Sequence, residues 1–158
     1  MPLTALPFGL PGRIFGSPMP FGLYDRHGEV YDQFREAQIT VVVLLAAEDE
    51  CLHRTGYNLR TLYLQEGWTV LYLPIPDFDV PPKDALAQAV LQTMTYAQAG
   101  HHVVVHCFAG LGRTGVFLAC LAKQVLGLSG EAALQWIRRY IPSAVVTPEQ
   151  HQLVLDDA

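Results

Sequence analysis

The sequence predicts a single α/β domain, a sandwich in which helices flank a central, mainly parallel sheet. Short apolar runs alternate with longer helix-like segments along the 158 residues, which is typical of this class. With 51% hydrophobic and 16% charged residues, the chain can bury a core and is not disordered. No repeat or low-complexity linker divides it. We therefore expect one domain over residues 1–158, with residues 1–12 as an irregular N-terminal extension.

The first elements follow from composition and hydrophobic spacing. Residues 13–17 predict a short edge strand after a segment rich in Pro and Gly. Residues 27–37 carry apolar side chains at helical spacing and predict a helix. The unbroken β-branched and leucine run of residues 39–46 predicts a strand buried on both faces. Residues 48–50, Glu-Asp-Glu, are expected to form an acidic turn that closes this strand.

The middle of the chain continues the alternation. Residues 59–65 predict a short helix, and the alternating residues 69–75 predict another strand. After a double proline, residues 83–99 predict a helix that ends at a glycine. A β-branched strand over residues 102–106 and an apolar helix over residues 113–126 follow.

Two capped helices are predicted at the end of the chain. Ser129 is the expected cap of a helix over residues 131–140. Residues 147–150 read Thr-Pro-Glu-Gln, which is the pattern of a capping box with proline at the first helical position. We expect this box to open a final helix that ends at Leu155.

The segment between the strand at 102–106 and the following helix carries the candidate chemistry. Residues 106–115 read His-Cys-Phe-Ala-Gly-Leu-Gly-Arg-Thr-Gly. A strand, a glycine-bearing loop and a helix in this order aim loop N–H groups and a helix N-terminus at one point, where an anion is stabilised. The segment is therefore a candidate anion site with a cysteine at its edge.

Each polar residue of this loop has a chemical role that fits an oxyanion. The N–H groups, the helix N-terminus and a guanidinium favour a thiolate, so Cys107 is the candidate nucleophile. Arg113 offers a planar fork to two phosphoryl oxygens. Thr114 can donate to the cysteine sulfur, and His106 is expected to hold the loop from behind. The backbone of the residues between them is expected to bind substrate: Phe108, Ala109, Gly110, Leu111 and Gly112.

This loop resembles that of the cysteine-based protein tyrosine phosphatase superfamily, whose pattern is His-Cys-x5-Arg-Ser/Thr. His106, Cys107, Arg113 and Thr114 all match it. The segment at 137–150 is similar to the tail of small atypical dual-specificity phosphatases. The resemblance implies the same fold and a two-step phosphomonoester hydrolysis through a phosphocysteine. It implies no cofactor, and because the histidines lack metal-ligand spacing we expect no metal.

A second loop resembles the mobile acid loop of the same superfamily. Residues 74–82 read Pro-Ile-Pro-Asp-Phe-Asp-Val-Pro-Pro, and Asp77 follows a proline and precedes an aromatic residue. The resemblance implies that Asp77 protonates the leaving oxygen and later activates water. Asp79 is the competing candidate. The plain alternative for Asp77 is an aspartate that hydrogen-bonds its own turn.

The C-terminal segment departs from the tyrosine-specific pattern. In those relatives a glutamine just before the threonine positions the hydrolytic water, but here that position is Val146, which cannot hydrogen-bond water. Gln150, one helical turn later, is a candidate substitute. Its alternative role is the capping box itself.

The residues of the cysteine loop also indicate which class of phosphate ester is the substrate. Relatives that prefer phosphoinositides carry lysines in the cysteine loop, whereas this chain has Phe108, Ala109 and Leu111 there. Phosphotyrosine in proteins is therefore favoured, with phosphoserine and phosphothreonine also open. The alternatives are a phosphatase acting on a phosphoinositide or an RNA 5′-phosphate, and a phosphoprotein-binding module with little activity.

Charge and cysteine content restrict partners and surroundings. The net charge of −5 and the presence of only two lysines argue against nucleic acid and anionic membranes as partners. Three cysteines without a recognisable secretory signal favour the cytoplasm. Cys51 is either a redox partner of Cys107 or an incidental thiol, and Cys120 is expected in the core. The sequence leaves the oligomeric state open, with a monomer as the expectation.

Overall fold

A five-stranded sheet forms the centre of the computed structural model, which describes residues 3–156. Its strand order is β1-β2-β5-β3-β4. The four strands from β2 to β4 in this order run parallel, and β1 pairs with β2 in the antiparallel sense. This confirms the predicted α/β class with its mainly parallel sheet. The strands are β1 (Thr4–Leu6), β2 (Ile14–Ser17), β3 (Ile39–Leu44), β4 (Thr69–Tyr72) and β5 (His102–His106).

Seven helices cover the two faces of the sheet within the described residues. The first three pack on one face and the last four on the other. Within residues 3–156, no single helix is long and apolar enough to cross a membrane, and the one pair that reaches this length and apolarity, α5 with α6, is bent by 118°. The helices are α1 (Val30–Glu36), α2 (Glu48–Thr55), α3 (Leu59–Gln65), α4 (Lys83–Gln98), α5 (Gly112–Leu126), α6 (Gly130–Tyr140) and α7 (Pro148–Leu155).

The central strands β3 and β5 are buried on both faces, as their unbroken apolar sequences predict. Val42 and Val104 face the layer of α1 to α3, whereas Val43 and Val105 face the layer of α4 to α7, and all four are 0% exposed. Burying a side chain of this kind contributes about 1.5–3 kcal/mol. The two strands therefore fix the sheet between the helical layers.

The N-terminal segment is more regular than expected. Residues Thr4–Leu6 form β1, so the expectation of an irregular extension over residues 1–12 is wrong for these three. The strand predicted over residues 13–17 is present as β2, but because β1 pairs outside it, the prediction that it lies at the edge of the sheet is wrong. A three-residue strand is too short to show an alternating pattern, and it forms because β2 offers it a partner edge.

The acidic segment at 48–50 is not a turn but the first turn of α2. Carboxylates are stabilised at a helix N-terminus by the unpaired N–H groups and the helix dipole. Three consecutive acidic residues are therefore as compatible with the start of a helix as with the predicted turn. The helix predicted over residues 27–37 begins only at Val30. At the other end of the chain, the predicted capping box of Thr147 and Gln150 is present.

The parallel strands end at one edge of the sheet and bring distant segments together there. The N–H of Leu45, after β3, donates to the carbonyl of His106 at the end of β5 (3.1 Å). The N–H of Ile75, after β4, donates in turn to the carbonyl of Leu45 (3.0 Å). The cysteine loop, the start of α2 and the acid loop therefore meet at the carboxyl ends of the strands.

Asp25 organises the loop that leads from β2 into α1. Its side chain is buried and accepts from the N–H groups of Phe21 (2.8 Å) and Glu29 (3.0 Å). Asp25→Ala leaves both donors without this acceptor, so we expect the free energy of unfolding to fall by about 2 kcal/mol in urea titration. The control Asp32→Ala, at an exposed position of α1, should change it by less than about 0.5 kcal/mol. Equal effects of the two substitutions would contradict this role.

Candidate active site

The cysteine loop connects the end of β5 to the start of α5 and is anchored through its carbonyl groups. The carbonyls of His106, Phe108 and Leu111 accept, at 3.1, 2.9 and 2.9 Å, from the N–H groups of Leu45, Met19 and Gly115. These bonds join the loop to β3, to the segment after β2 and to the first turn of α5. The loop is therefore fixed before any ligand arrives.

Two glycines of the loop fill positions that larger residues cannot. Gly110 has a φ of +80°, and a Cβ atom there would lie 2.7 Å from the carbonyl oxygen of Ser17. A Cβ atom on Gly112 would lie 3.0 Å from Oε1 of Gln150. The backbone of the loop thus packs directly against β2 and α7.

Cys107 begins the loop and is 2% exposed. The hydroxyl of Thr114, from the first turn of α5, donates to its sulfur at 3.1 Å. Both residues were singled out from the sequence, and the structure brings them together. A hydroxyl donor at this distance stabilises negative charge on the sulfur.

His106 lies behind the loop, as expected, and is fully buried. Its Nδ1 is 2.9 Å from the carbonyl of Cys107, and its Nε2 is 2.7 Å from the hydroxyl of Tyr63. Burial, the largest influence, lowers the pKa of His106 to about 4, so the ring is neutral at pH 7. Because a carbonyl only accepts, the single ring proton sits on Nδ1 and the Tyr63 hydroxyl donates to Nε2. Tyr63, on α3, thereby supports the loop from the opposite side of the sheet.

Arg113 is 1% exposed and is held by Glu50 in a bidentate pair. Its Nη1 donates to Glu50 Oε1 (2.7 Å) and to the Ile75 carbonyl (2.8 Å), and its Nη2 donates to Glu50 Oε2 (2.9 Å). Burial lowers the pKa of Arg113, but the bond to Glu50 and the neighbouring charge of Cys107 outweigh it and raise the pKa overall. Conversely, burial raises the pKa of Glu50, but Arg113 and Arg54 bring it below its ordinary value.

One atom of this buried guanidinium has no partner. Nε of Arg113 makes no hydrogen bond to any residue in the part of the chain that the structure describes. A buried donor left unsatisfied costs about 1–3 kcal/mol, so it marks a place where a ligand atom is expected. Arg113 therefore retains one N–H donor for a further acceptor, and its charge interacts with that of Cys107.

The acid loop brings Asp77, and not Asp79, to this site. Asp77 Oδ1 lies 3.1 Å from Arg113 Nη2, and Oδ2 lies 3.2 Å from Arg54 Nη2. The carboxylate also accepts from the N–H of Phe78, so the turn contact and the site contact coexist. The carboxylate of Asp79 accepts from the N–H of Val80 (2.8 Å) in its own turn. Of the two aspartates, Asp77 is therefore the one whose carboxylate contacts Arg113.

Gln150 is fully buried and joins three segments. Its Oε1 accepts from the N–H groups of Val146 (3.0 Å) and Thr147 (3.2 Å), and its Nε2 donates to the carbonyl of Asp79 (3.2 Å). Both lone pairs of the amide oxygen are thus occupied, and only an N–H remains free. In this arrangement Gln150 caps α7 and fastens the acid loop, but its oxygen cannot accept a further hydrogen bond from water.

Three residues of this site were not found from the sequence. Glu50 was assigned to an acidic turn, and Arg54 and Tyr63 were not singled out. The Glu50 and Arg54 pair has the i, i+4 spacing of helical ion pairs, which a helical interpretation of residues 48–55 would have revealed. Tyr63 carries no comparable local signal.

The two other cysteines are buried or nearly so and are not bonded to each other or to Cys107. Burial, followed by the charge of Glu50, raises the pKa of Cys51 to about 12. Burial raises the pKa of Cys120 to about 11, and this residue packs against the core as expected. A resolving cysteine requires a thiolate, so these surroundings do not favour Cys51 as a redox partner.

Residues 21–125 match the model of a family described as "Polymorphic toxin system, DSP-PTPase phosphatase". The chain belongs to this phosphatase family. The phosphatase is thus a member of the cysteine-based superfamily that its loop resembles, close to the small atypical dual-specificity enzymes.

Longer curated relatives share one part of their length with this phosphatase. It is 39% identical over 126 residues to the human dual specificity protein phosphatase CDC14A, covering 78% of this chain and 19% of that protein. It is 28% identical over 127 residues to the tyrosine-protein phosphatase cdc-14 of Caenorhabditis elegans, covering 78% of this chain and 16% of that protein. The chain therefore spans less than a fifth of the length of these two relatives.

Solved structures agree with the fold. The active form of Tk-PTP superposes with a TM-score of 0.78 at 30% identity, covering 96% of this chain and 93% of that one. Kinase associated phosphatase, solved with its catalytic cysteine replaced by serine, superposes with a TM-score of 0.85 at 18% identity, covering 96% and 90%. The second likeness concerns the fold alone.

The buried His106 predicts a specific pH dependence of stability. Its pKa falls from 6.5 to about 4 on folding, so the unfolded chain binds the proton more readily. The resulting stability is complete above pH 6.5 and is lost as the pH falls toward 4, by roughly 3 kcal/mol. In His106→Gln this part of the pH dependence should disappear when urea unfolding is followed from pH 7 to 4. His53→Gln, at an exposed position of α2, should keep it, and an unchanged slope in His106→Gln would contradict the assignment.

Proposed function

We propose that this phosphatase hydrolyses phosphotyrosine in proteins through a phosphocysteine intermediate, with phosphoserine and phosphothreonine as the alternative protein substrates. The observation that carries the proposal is the unpartnered, buried Nε of Arg113 beside Cys107, with Asp77 3.1 Å from the same guanidinium. Nucleophile, oxyanion site and acid are thus assembled at one place.

In the first step, the Cys107 thiolate attacks phosphorus while the bond from phosphorus to the leaving oxygen breaks. Arg113 and the loop backbone stabilise the negative charge on the equatorial oxygens of the phosphoryl group. Stabilising this charge in the transition state is the main way to lower the barrier of phosphoryl transfer. Asp77 gives its proton to the departing oxygen. The product alcohol or phenol leaves, and a phosphocysteine remains.

In the second step, water attacks the phosphocysteine and the sulfur–phosphorus bond breaks. Asp77, now ionised, takes the proton of the attacking water. Thr114 donates its hydrogen bond to the returning thiolate at the observed 3.1 Å. Since Val146 cannot hold the water and the oxygen of Gln150 is occupied, we expect this step to be the slower one.

The rim of the cleft supports an aromatic phosphoester. Phe108 forms an edge contact with Tyr24 at 5.4 Å between ring centroids, and Tyr24 is 52% exposed. Phe78, next to the acid Asp77 in sequence, is 64% exposed. Exposed rings next to the residues of the anion site suit the phenyl group of phosphotyrosine. Phe108, Ala109 and Leu111 add no cation for a further phosphate.

A substrate panel with a nucleophile variant tests this function. Phosphotyrosyl, phosphoseryl and phosphothreonyl peptides, phosphoinositides and 5′-phosphorylated RNA are assayed with EDTA present, and phosphotyrosyl peptides should react fastest.

The variant Cys107→Ser should lose turnover because a serine hydroxyl is not ionised, and we expect the activation barrier to rise by an amount on the order of 5 kcal/mol or more. Its binding of inorganic phosphate, followed by calorimetry, should persist because Arg113 is intact. Faster hydrolysis of the lipid or RNA would reject the protein substrate, and turnover of Cys107→Ser within tenfold of wild type would reject the mechanism.

The choice between Asp77 and Asp79 is tested with two leaving groups. A general acid matters most when the leaving group is basic, so Asp77→Asn should lower kcat/KM, which reports the first step, about a hundredfold more for phenyl phosphate than for 4-nitrophenyl phosphate. Asp79→Asn serves as the control and should affect both esters alike, because its carboxylate contacts only its own turn in the structure. The reverse pattern would transfer the acid role to Asp79.

A further inference from the structure

Arg54 contacts three parts of the site at once, although no sequence motif points to it. Its Nε lies 3.2 Å from Glu50 Oε2, and its Nη2 lies 3.2 Å from Asp77 Oδ2. Its guanidinium carbon lies 3.7 Å from the centre of the Phe108 ring. One side chain of α2 therefore links the carboxylate that holds Arg113, the acid loop and the cysteine loop.

The ion pairs of Asp77 create a competition within the site. Nη2 of Arg113 is shared by Glu50, at 2.9 Å, and Asp77, at 3.1 Å, and only Nε is without a partner. A phosphoryl group that binds Arg113 with two oxygens needs Nη2 as well as Nε. It must therefore displace Asp77 Oδ1, since the Glu50 pair is buried and bidentate.

The displaced carboxyl group keeps one partner. Asp77 Oδ2 faces Arg54, whose guanidinium rests on Phe108 and is tied to Glu50, so its position does not depend on Arg113 alone. A carboxyl group held by Oδ2 has Oδ1 free to face the leaving oxygen of the bound ester. Without Arg54, the displaced acid would have no charged partner among the contacts described above.

We propose that Arg54 is a positioning residue, which keeps Asp77 at the mouth of the cleft when the phosphoryl group takes its place on Arg113. This rests on the proposed phosphatase function and specifies how its acid is oriented. The proton still passes from Asp77 to the leaving oxygen, and Arg54 itself transfers none.

Arg60 provides a matched control. It too is an arginine beside a glutamate, with Nη1 3.6 Å from Glu48 Oε2, and it too covers an aromatic ring, that of Tyr72 at 4.2 Å. Its side chain is 37% exposed, against 30% for Arg54. The two arginines differ in their partners, because Arg54 contacts the site residues Glu50, Asp77 and Phe108, whereas Arg60 contacts Glu48 and Tyr72.

The test compares Arg54→Gln and Arg60→Gln with phenyl phosphate and 4-nitrophenyl phosphate. For Arg54→Gln we expect kcat/KM, which reports the first step, to fall by about tenfold to a hundredfold with phenyl phosphate and by less than about threefold with the nitrophenyl ester. Arg60→Gln should change neither. In an Asp77→Asn background, Arg54→Gln should have little further effect, because the residue that it positions is already disabled. Arg54→Lys should give an intermediate loss, since one ammonium cannot reproduce the planar contact with both carboxylates.

Several outcomes would overturn the proposal. These are an equal fall with both esters, the same fall in Arg60→Gln, and an undiminished effect in the Asp77→Asn background, each of which indicates a merely structural role. If Arg54→Gln does not fold, Arg54→Lys carries the same comparison, and equal effects on both esters again reject the idea. If the wild type hydrolyses neither ester, the proposed function itself fails. An active wild type with unaffected Arg54 variants rejects only the role of Arg54.

Discussion

The buried pair of Arg113 and Glu50 is the interaction on which the rest of the site depends. It joins the first turn of α5 to the first turn of α2, which are 63 residues apart in sequence, through two hydrogen bonds of 2.7 and 2.9 Å. A guanidinium that is 1% exposed would be costly without a carboxylate of opposite charge and matching shape. Glu50 occupies the Nη1 and Nη2 side of the guanidinium, so Nε is left for a ligand. The remaining N–H donor favours a ligand with a negatively charged oxygen.

The sheet makes this pair possible. The carboxyl ends of β3 and β5 lie side by side, so α2 and the cysteine loop begin within reach of each other. The backbone bonds that fasten the loop carbonyls leave little freedom to the residues between them. An anion site built in this manner is rigid before binding, which reduces the entropy lost when substrate is ordered. Mobility is then needed only in the acid loop, which is held by the ion pairs of Asp77 with Arg54 and Arg113 and by a hydrogen bond from the Gln150 side chain to the Asp79 carbonyl.

The sequence was informative where the chemistry is local and uninformative where it is distant. The strand, loop and helix around Cys107 follow each other in the chain, so spacing and residue type predicted them, together with the contact of Thr114. The same holds for the capping box of Thr147 and Gln150, which lie three residues apart. Glu50 and Tyr63 act on residues 63 and 43 positions away, and only the folded sheet brings them there. Likewise, β1 forms because a neighbouring strand is available, a cause that no short sequence window contains.

The three-residue strand β1 has a consequence for how the molecule meets its neighbours. An open sheet exposes a row of unpaired N–H and C=O groups along its outermost strands, and another chain can extend the sheet by pairing with that row. Here the outermost strands are short, β1 with three residues and β4 with four, while the longer apolar strands β3 and β5, with six and five residues, lie inside. Another polypeptide chain could therefore form only a few backbone hydrogen bonds with either edge of the sheet. The apolar central strands are thus kept from intermolecular pairing, because β2 and β1 lie on one side of them and β4 lies on the other.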